Sequence, residues 1–406
     1  MTVHADSARR ARVVVIGGGI IGLSVAWRIA QRCDGIDTVS VVDPAPASGA
    51  SHVAAGMLAP VTELHFGEEA LLSLNLASAQ RWPTFAAELA DATGMPVDFE
   101  RGGTLAVAYD NDDRAALAVL HDYLCRLTLP ATWKRASEVR VAEPMLAPSI
   151  RGALEAEADH RVDPRSVTAA LLVACEGAGV QFVREQAARI ETSCSAPPGE
   201  VVAITLADAA STALPADVVV LAAGAASALI DGVPPADRPP VRPVKGQLLI
   251  VRGPTDPPLL TRAVRGLVRG SPVYLVPRPD GRIIVGATVE EQGWDARPTV
   301  DATYTLLRDA TSLLPGLSEC ELLDTLVGFR PGTPDNGPII GFGQTAGLVH
   351  ATGHYRNGVL LTPATADAVA ELVATGRTPN VIASFANSRF ASNEAGTERI
   401  AEAALR

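Results

Sequence analysis

Residues 13–16 (VVVI) and 39–42 (VSVV) are short, β-branched and almost free of polar side chains, the pattern of parallel strands covered on both faces. Residues 23–32 between them carry helical spacing, so the chain begins with a strand–helix–strand unit. Apolar positions recur at helical spacing over 68–92 (Leu71, Leu74, Phe85, Leu89), and 114–127 predicts another helix; a strand is expected over 102–109. From Asp163 the pattern turns α/β again. Residues 164–179 predict a helix ending in glycine, 180–183 a buried strand, and 200–208 and 216–224 two strands on either side of a turn. The proline-rich passage 232–247 predicts a boundary. Beyond it 246–253 and 271–288 read as strands, with Pro279, Asp280 and Gly281 marking a hairpin, and a helix follows near 302–314. A glycine-punctuated α/β pattern returns from Leu326 and closes on a helix over 364–375. The 406 residues exceed one ordinary core. They divide into one discontinuous domain (10–65, 155–235 and 325–385) and a sheet-and-helix domain inserted as 66–154 and 236–324. No internal repeat or long low-complexity tract interrupts this order.

The junction after the first strand carries the sharpest chemical signal. Gly17, Gly19 and Gly22 fall at G-x-G-x-x-G spacing, and Asp43 ends the second strand about twenty residues beyond the last of them. Gly17 permits a tight turn, Gly19 lets backbone approach a pyrophosphate, and Gly22 lets helix and sheet pack closely. A helix N-terminus offers free N–H groups and a positive dipole end to phosphates. Asp43 accepts hydrogen bonds from a ribose diol and repels a 2′-phosphate, so FAD or NAD fits better than NADP.

Composition narrows the partners. The net charge is −11 with both signs interspersed, which excludes the basic footprint that nucleic acid or an anionic membrane surface requires. The five cysteines (Cys33, Cys125, Cys175, Cys194, Cys320) form no C-x-x-C or Cys/His cluster, so zinc and a disulfide framework are not expected. Arg9 and Arg10 resemble a twin-arginine signal, but three consecutive glycines interrupt the apolar stretch that follows. No segment reaches the apolar length of a membrane span, and a cytoplasmic location is expected.

Several ordered blocks carry a family resemblance: the fingerprint itself, GASHVAAGMLAP (49–60), RVDPRSV (161–167), VVLAAGAAS (219–227), RPVKGQ (242–247), VYLVPRPDGRIIVGATVE (273–290), GFRPGTPDNGPIIG (328–341) and TGHYRNGVLLTPATA (352–366). Together, nearly end to end, they make the chain resemble the D-amino-acid-oxidase-like flavoproteins, most closely their glycine-oxidase branch of the thiamine pathway. The resemblance implies a Rossmann-type FAD-binding domain with an inserted mixed-sheet substrate domain, the two-domain fold of the p-hydroxybenzoate-hydroxylase type. It also implies oxidation of a small amine or amino acid. Sarcosine-oxidase relatives tether FAD through a C-terminal cysteine; GHYRNGVLL has none, so noncovalent FAD is expected.

Candidate residues follow from chemistry and resemblance together. A planar guanidinium anchors a carboxylate with two parallel hydrogen bonds. Arg330, expected between an apolar strand (322–327) and the turn Pro-Gly-Thr-Pro, is the first candidate, and the family places its carboxylate-binding arginine in this motif. Tyr274 supplies a second donor, with Val273 and Leu275 on the opposite strand face if alternation holds. Arg356 is a third cationic candidate, at the substrate entrance or the flavin face, and His354 reads as a structural histidine at a turn. Small residues of the 48–57 loop (Ser51, Ala55, Gly56, Met57) are expected to wrap one side of the flavin. Gly358 lets a loop approach the ring edge, and a helix beginning near Ala364 aims its dipole at the ring. By resemblance, Ile20, Ile21, Val183, Ala223, Gly224, Asn357, Val359 and Leu360 complete the flavin contacts, and Val289 sets pocket size.

The expected reaction is hydride transfer from the substrate α-carbon to the flavin, with binding and orientation by Arg330 and Tyr274 and no side chain acting as base. The imine then hydrolyses to an oxo-acid and ammonia or enters thiazole synthesis, and molecular oxygen regenerates the flavin with release of peroxide. A D-amino-acid or N-methyl amino-acid oxidase or dehydrogenase is the alternative. Partners expected are a small amino acid and oxygen; a homo-oligomer and a link to thiazole synthase stay open.

Overall fold

The structure is a computed structural model that describes residues 10–193 and 199–390; Arg9 and Cys194 lie outside the described residues. Strand Ala11–Ile16 sits at the centre of a six-stranded sheet, in parallel register with Ile36–Val42 on one side and Val218–Leu221 on the other. Gln181–Val183 extends the first side; Leu348–Thr352 and the antiparallel Ile339–Phe342 extend the second. Val13 to Ile16 are buried on both faces, which is why their sequence lacks a polar alternation. Helix Ile20–Arg32 starts directly after Gly19, three residues earlier than expected.

The helices Ile20–Arg32, Pro164–Gly177 and Thr362–Thr375 cover one face of this sheet. A three-stranded antiparallel sheet of Ala187–Thr192, Val201–Leu206 and Ala213–Pro215 covers the other. The two strands expected around a turn at 200–224 therefore do not pair with each other. Val201–Leu206 alternates buried and open positions, whereas Val218–Leu221 is apolar throughout. The first thus suits a covering sheet and the second a doubly covered strand.

A second, eight-stranded mixed sheet has the order Glu321–Gly332, Arg242–Arg252, Arg282–Gly286, Ser271–Pro277, Ala263–Val268, Thr104–Ala108, Gly152–Ala156, Thr132–Lys134. The turn at Pro279–Gly281 joins two antiparallel neighbours, with Gly281 at φ +82°. Helix Val300–Leu313 packs on one face of this sheet; the other face turns toward the loops that follow the first sheet.

Packing crosses the expected domain boundaries at two places. Helix Glu69–Thr93 buries Leu71, Leu74, Trp82, Phe85 and Leu89 in the core around Ile20–Arg32, and Trp82 Nε1 donates to the Leu360 carbonyl at 2.9 Å. Its apolar stripe is matched by the helices of the first sheet and not by the second. Strand Glu321–Gly332 pairs along its length with Arg242–Arg252 and so belongs to the second sheet. Both segments tie the halves together.

Two buried histidines make this core sensitive to acid. His350, in the middle of Leu348–Thr352, has no hydrogen-bond partner for either ring nitrogen among the described residues, and burial lowers its pKa to about 4. His354 Nε2 lies 3.0 Å from Thr365 Oγ1, and burial lowers its pKa to about 3. Both are neutral in the fold, while the unfolded chain takes up protons below about pH 6.5. Stability is therefore unaffected by these groups at pH 7.5 and falls as pH drops from about 6.5 toward 4, by about 2 kcal/mol per histidine at pH 5. Urea unfolding at the two pH values should show this loss, with His350→Asn removing about half of it. An unchanged pH dependence in that variant would refute the assignment to His350.

Candidate active site

Strand Ala11–Ile16 delivers the chain to Gly17, which turns it at φ +107°. A Cβ there would lie 2.4 Å from the Ala222 carbonyl oxygen, and one at Gly22 would lie 1.9 Å from that of Gly17. Gly19, the N-cap of helix Ile20–Arg32, has no side chain with which to cap it; the Ile20 N–H instead donates to Ser51 Oγ at 3.0 Å. Asp43, at the end of Ile36–Val42, accepts from the Gly18 N–H at 2.6 Å and the Ala45 N–H at 2.8 Å. Its own N–H donates to the Val183 carbonyl at 3.1 Å. A carboxylate has about four acceptor positions, so Asp43 keeps capacity for a diol.

The small-residue loop 48–57 is pinned from below. Gly56 stands at φ +78°, where a Cβ would lie 1.9 Å from the Val162 carbonyl oxygen. Buried Arg278 donates to the Ala55 carbonyl at 2.6 Å and pairs at 3.5 Å with Asp163. Asp163 in turn caps helix Pro164–Gly177 through the Arg165 N–H. Two of the sequence blocks, RVDPRSV and VPRPDG, thus fix the position of a third.

The second sheet builds the other end. Tyr274 stands directly opposite Arg265 on the neighbouring strand, while Val273 and Leu275 pack on the far face against the core of helix Val300–Leu313. The alternation expected around Tyr274 holds. The tyrosine ring lies over Gly286, where a Cβ would meet its hydroxyl at 2.3 Å. Arg330 lies inside strand Glu321–Gly332, opposite Val244, and not at a strand end. Its guanidinium crosses Gly246, where a Cβ would be 2.3 Å from Nη1, and that Nη1 donates to the Thr288 carbonyl at 3.0 Å. Two glycines on neighbouring strands therefore make room for the two polar groups. Burial pushes the Tyr274 phenol up, while Arg330 and Arg265 pull it back.

Arg265 pairs at 2.9 Å with Glu63 Oε1, and burial beside Arg356 lowers its pKa to about 10. Arg356 is ion-paired with Glu68, whose other oxygen accepts from Asn336 Nδ2 at 3.0 Å. Glu63 and Glu68 come from the turns between Leu58 and helix Glu69–Thr93. Buried Asp159 accepts from the Val61 and Thr62 N–H groups at 3.1 and 2.8 Å and anchors that segment.

One continuous cavity of about 1090 Å³ joins the two ends. Gly17, Gly19, Ile20, Ile21, Asp43, Ser51, Ala55, Gly56, Met57, Ala223, Gly224, Gly358 and Val359 line it together with Tyr274, Arg330, Arg356, His354 and Val289. Val289 is 64% exposed and so stands at the rim rather than on the floor. Gly22, Val183, Asn357 and Leu360 are not part of the lining. Gly22 packs against Gly17, Val183 supports Asp43, Asn357 is buried with Nδ2 unpartnered, and the Leu360 carbonyl turns toward Ser78 and Trp82. Helix Thr362–Thr375 starts two residues before its expected origin with no side-chain cap, just behind Gly358 and Val359. Arg265, Glu63 and Glu68 are site groups that the motifs did not mark. Among the described residues no cysteine lines the cavity, the four described cysteines are free, and no cluster could hold a metal ion. No helix among them is long and apolar enough to cross a membrane.

The fold and cavity define a dinucleotide-dependent oxidoreductase with a separate sheet for its substrate. Residues 12–372 match the model of the family described as FAD dependent oxidoreductase, and the chain belongs to that family. It is 34% identical, over 93% of its length, to the bifunctional protein ThiO/ThiG of Synechocystis sp., and it spans 54% of that protein, so about half the length. It is 31% identical to glycine oxidase of Geobacillus kaustophilus over 93% of this chain and 96% of that one. The crystal structure of glycine oxidase from Geobacillus kaustophilus superposes with a TM-score of 0.83 over 93% of this chain and 99% of the other, at 30% identity. Iminodiacetate oxidase from Chelativorans sp. superposes with a TM-score of 0.79 at 25% identity, over 92% and 98% of the two chains.

The residues present fit FAD. The helix N-terminus behind Gly19, whose N-cap residue brings no side chain and whose Ile20 N–H is taken by Ser51 Oγ, suits a pyrophosphate, and Asp43 suits a ribose diol. Gly17 and Gly56 line the same cavity.

Proposed function

We propose that the protein oxidises a small amino acid, glycine first, to its imine, with molecular oxygen as the final electron acceptor. The observation that carries this reading is that Arg330 and Tyr274 line the same cavity as Gly17 and Asp43. FAD would be held noncovalently by the Gly17–Gly22 loop, Asp43, the 48–57 loop and the Gly358–Val359 segment. When bound it supplies a two-electron acceptor that oxygen regenerates with release of hydrogen peroxide.

The chain's own contribution is placement. Arg330, fixed at one end by the Thr288 carbonyl, presents its guanidinium fork to the substrate carboxylate, and Tyr274 donates a further hydrogen bond. Two contacts on one carboxylate restrict the rotation of the α-carbon, which is where orientation lowers the barrier. Glu63 does reach the cavity and Glu68 stands behind Arg356, but each is already ion-paired, so the amine is taken up neutral and no carboxylate need act as base. The imine hydrolyses to glyoxylate and ammonia or is passed to thiazole formation, a reading supported by the joined name of the longer ThiO/ThiG relatives.

Mixing the purified yellow protein with glycine in the absence of oxygen is expected to bleach the flavin absorbance at its visible maximum, with recovery on admitting air. An unchanged spectrum would exclude glycine; bleaching by sarcosine or a D-amino acid instead would select the N-methyl or D-amino-acid reading. A protein that takes up no FAD would overturn the whole proposal.

A further inference from the structure

Among the described residues three guanidinium groups reach the cavity, and their charges are balanced unequally. Arg356 is paired with Glu68 and Arg265 with Glu63 at 2.9 Å. Arg330 has no carboxylate partner among the described residues and donates to a backbone carbonyl. Both acids come from one short segment, Glu63 to Glu68, whose start is held by Asp159. Glu63 is 14% exposed at its side chain, so its charge is set against a partly dry wall where screening is weak. Arg265 stands on the strand next to Tyr274, in register with it, and the strand of Arg330 lies on the opposite side of Tyr274 in the sheet order. The Arg265 Nη1 is near Glu63 yet out of line for a hydrogen bond and finds no other partner, so a donor remains unsatisfied at the cavity wall.

We propose that Glu63 determines the charge class of the substrate by masking Arg265. With Glu63 in place the pocket offers a single uncompensated cation, Arg330, and accepts amino acids with one carboxylate. A second carboxylate on the substrate meets Glu63 and is repelled. Removing the Glu63 charge leaves Arg265 as a second anchor, one tyrosine away from the first, and opens the site to amines bearing two carboxylates. The inference rests on the amino-acid-oxidase reading for turnover, but the charge mask itself is a property of binding and is testable without it.

The test uses the FAD-loaded wild type, Glu63→Gln and Glu63→Gln/Arg265→Leu. Turnover is compared on glycine and iminodiacetate, and binding of acetate and malonate is measured by calorimetry. Glu63→Gln is expected to raise the iminodiacetate-to-glycine ratio of kcat/KM at least about tenfold, chiefly through KM, and to tighten malonate but not acetate by a similar factor, the scale of one buried charge-assisted contact. Adding Arg265→Leu should return both ratios to wild type, which a merely structural role for Glu63 would not do. An unchanged malonate-to-acetate ratio in a folded, yellow Glu63→Gln protein overturns the proposal, as does a gain that survives Arg265→Leu. If the glutamine variant does not accumulate, Glu63→Ala carries the same expectation. If the wild type oxidises no amino acid, the function reading fails while the malonate comparison still decides the mask.

Discussion

Replacing Arg330 by alanine is expected to lower kcat/KM for glycine by about a thousandfold while leaving the protein yellow. The size follows from what the side chain would do. Truncating one partner of a buried, hydrogen-bonded charge pair costs about 2–5 kcal/mol, and each 1.4 kcal/mol is about tenfold. Most of the loss should fall on KM, because the carboxylate contact is made in the ground state as well as the transition state. Some should fall on kcat, because the fork also orients the α-carbon. Arg330→Lys tests the geometry: it keeps the charge but cannot donate two parallel bonds, so it should recover only part of the loss. Folding should suffer little. Arg330 lies partly buried without a carboxylate partner, so its removal relieves a desolvation cost that only hydrogen bonds to neutral groups, the Thr288 carbonyl among them, offset. Steady-state kinetics on glycine, with flavin content and thermal stability as controls, decide the matter. A change below about fivefold in a flavin-loaded variant would remove Arg330 from the carboxylate site.

The same residue shows how far the sequence reached and where it stopped. Arg330, Tyr274 and Arg356 could be singled out because each sits in a motif with a chemical purpose, and the cavity brings all three together. The nucleotide end was equally legible, since strand, turn, helix and acid are contiguous and their spacing is local. What was not legible is anything that depends on register between distant strands. Gly246 and Gly286 look like ordinary strand glycines until the pairing sets one beneath Arg330 and the other beneath Tyr274. Arg265 carries one detectable signal, an arginine within the alternating strand AVRGLV. Its meaning appears only when the register places it against Tyr274 and the loop before helix Glu69–Thr93 brings Glu63 to it.

The partner surface of a segment does not follow from local pattern for a related reason. The stripe Leu71, Leu74, Phe85 and Leu89 announces an amphipathic helix but not the surface it covers. In the structure that surface is the helical layer of the first sheet. The Pro-Gly that follows Arg330 reads as a turn, which sets the arginine just past an apolar strand. Pairing with Arg242–Arg252 extends the strand to Gly332 instead. The arginine is thereby held by a backbone ladder rather than on a loop, a firmer base for a group that must orient its ligand.

Gly22→Ala should be the most damaging single methyl at the nucleotide end, and it should act on cofactor and fold together. The added Cβ would lie 1.9 Å from the Gly17 carbonyl oxygen, well inside any van der Waals contact, and that oxygen belongs to backbone that cannot swing aside. Relief requires helix Ile20–Arg32 to move away from strand Ala11–Ile16, yet that helix is buried along most of its length in the main core. Overpacking of this kind costs about 1–3 kcal/mol or more. The displacement also moves the helix N-terminus behind Gly19, so FAD affinity should fall at least about a hundredfold, and with it the stabilisation that bound ligand contributes by mass action. The variant should therefore purify colourless and show a melting temperature that added FAD barely raises. Two neighbours calibrate the result. At Gly19 a Cβ would lie 3.4 Å from Ser51 Oγ, and at Gly49, with negative φ, it would meet nothing within 4 Å. Flavin loss should be large for Gly22→Ala and near wild type for Gly49→Ala, while Gly19→Ala, whose methyl stands where the pyrophosphate approaches, should lose flavin without the loss of stability seen at Gly22. Equal loss at Gly22 and Gly49 would mean that the loop tolerates a shifted helix, and that close packing is not what positions the nucleotide.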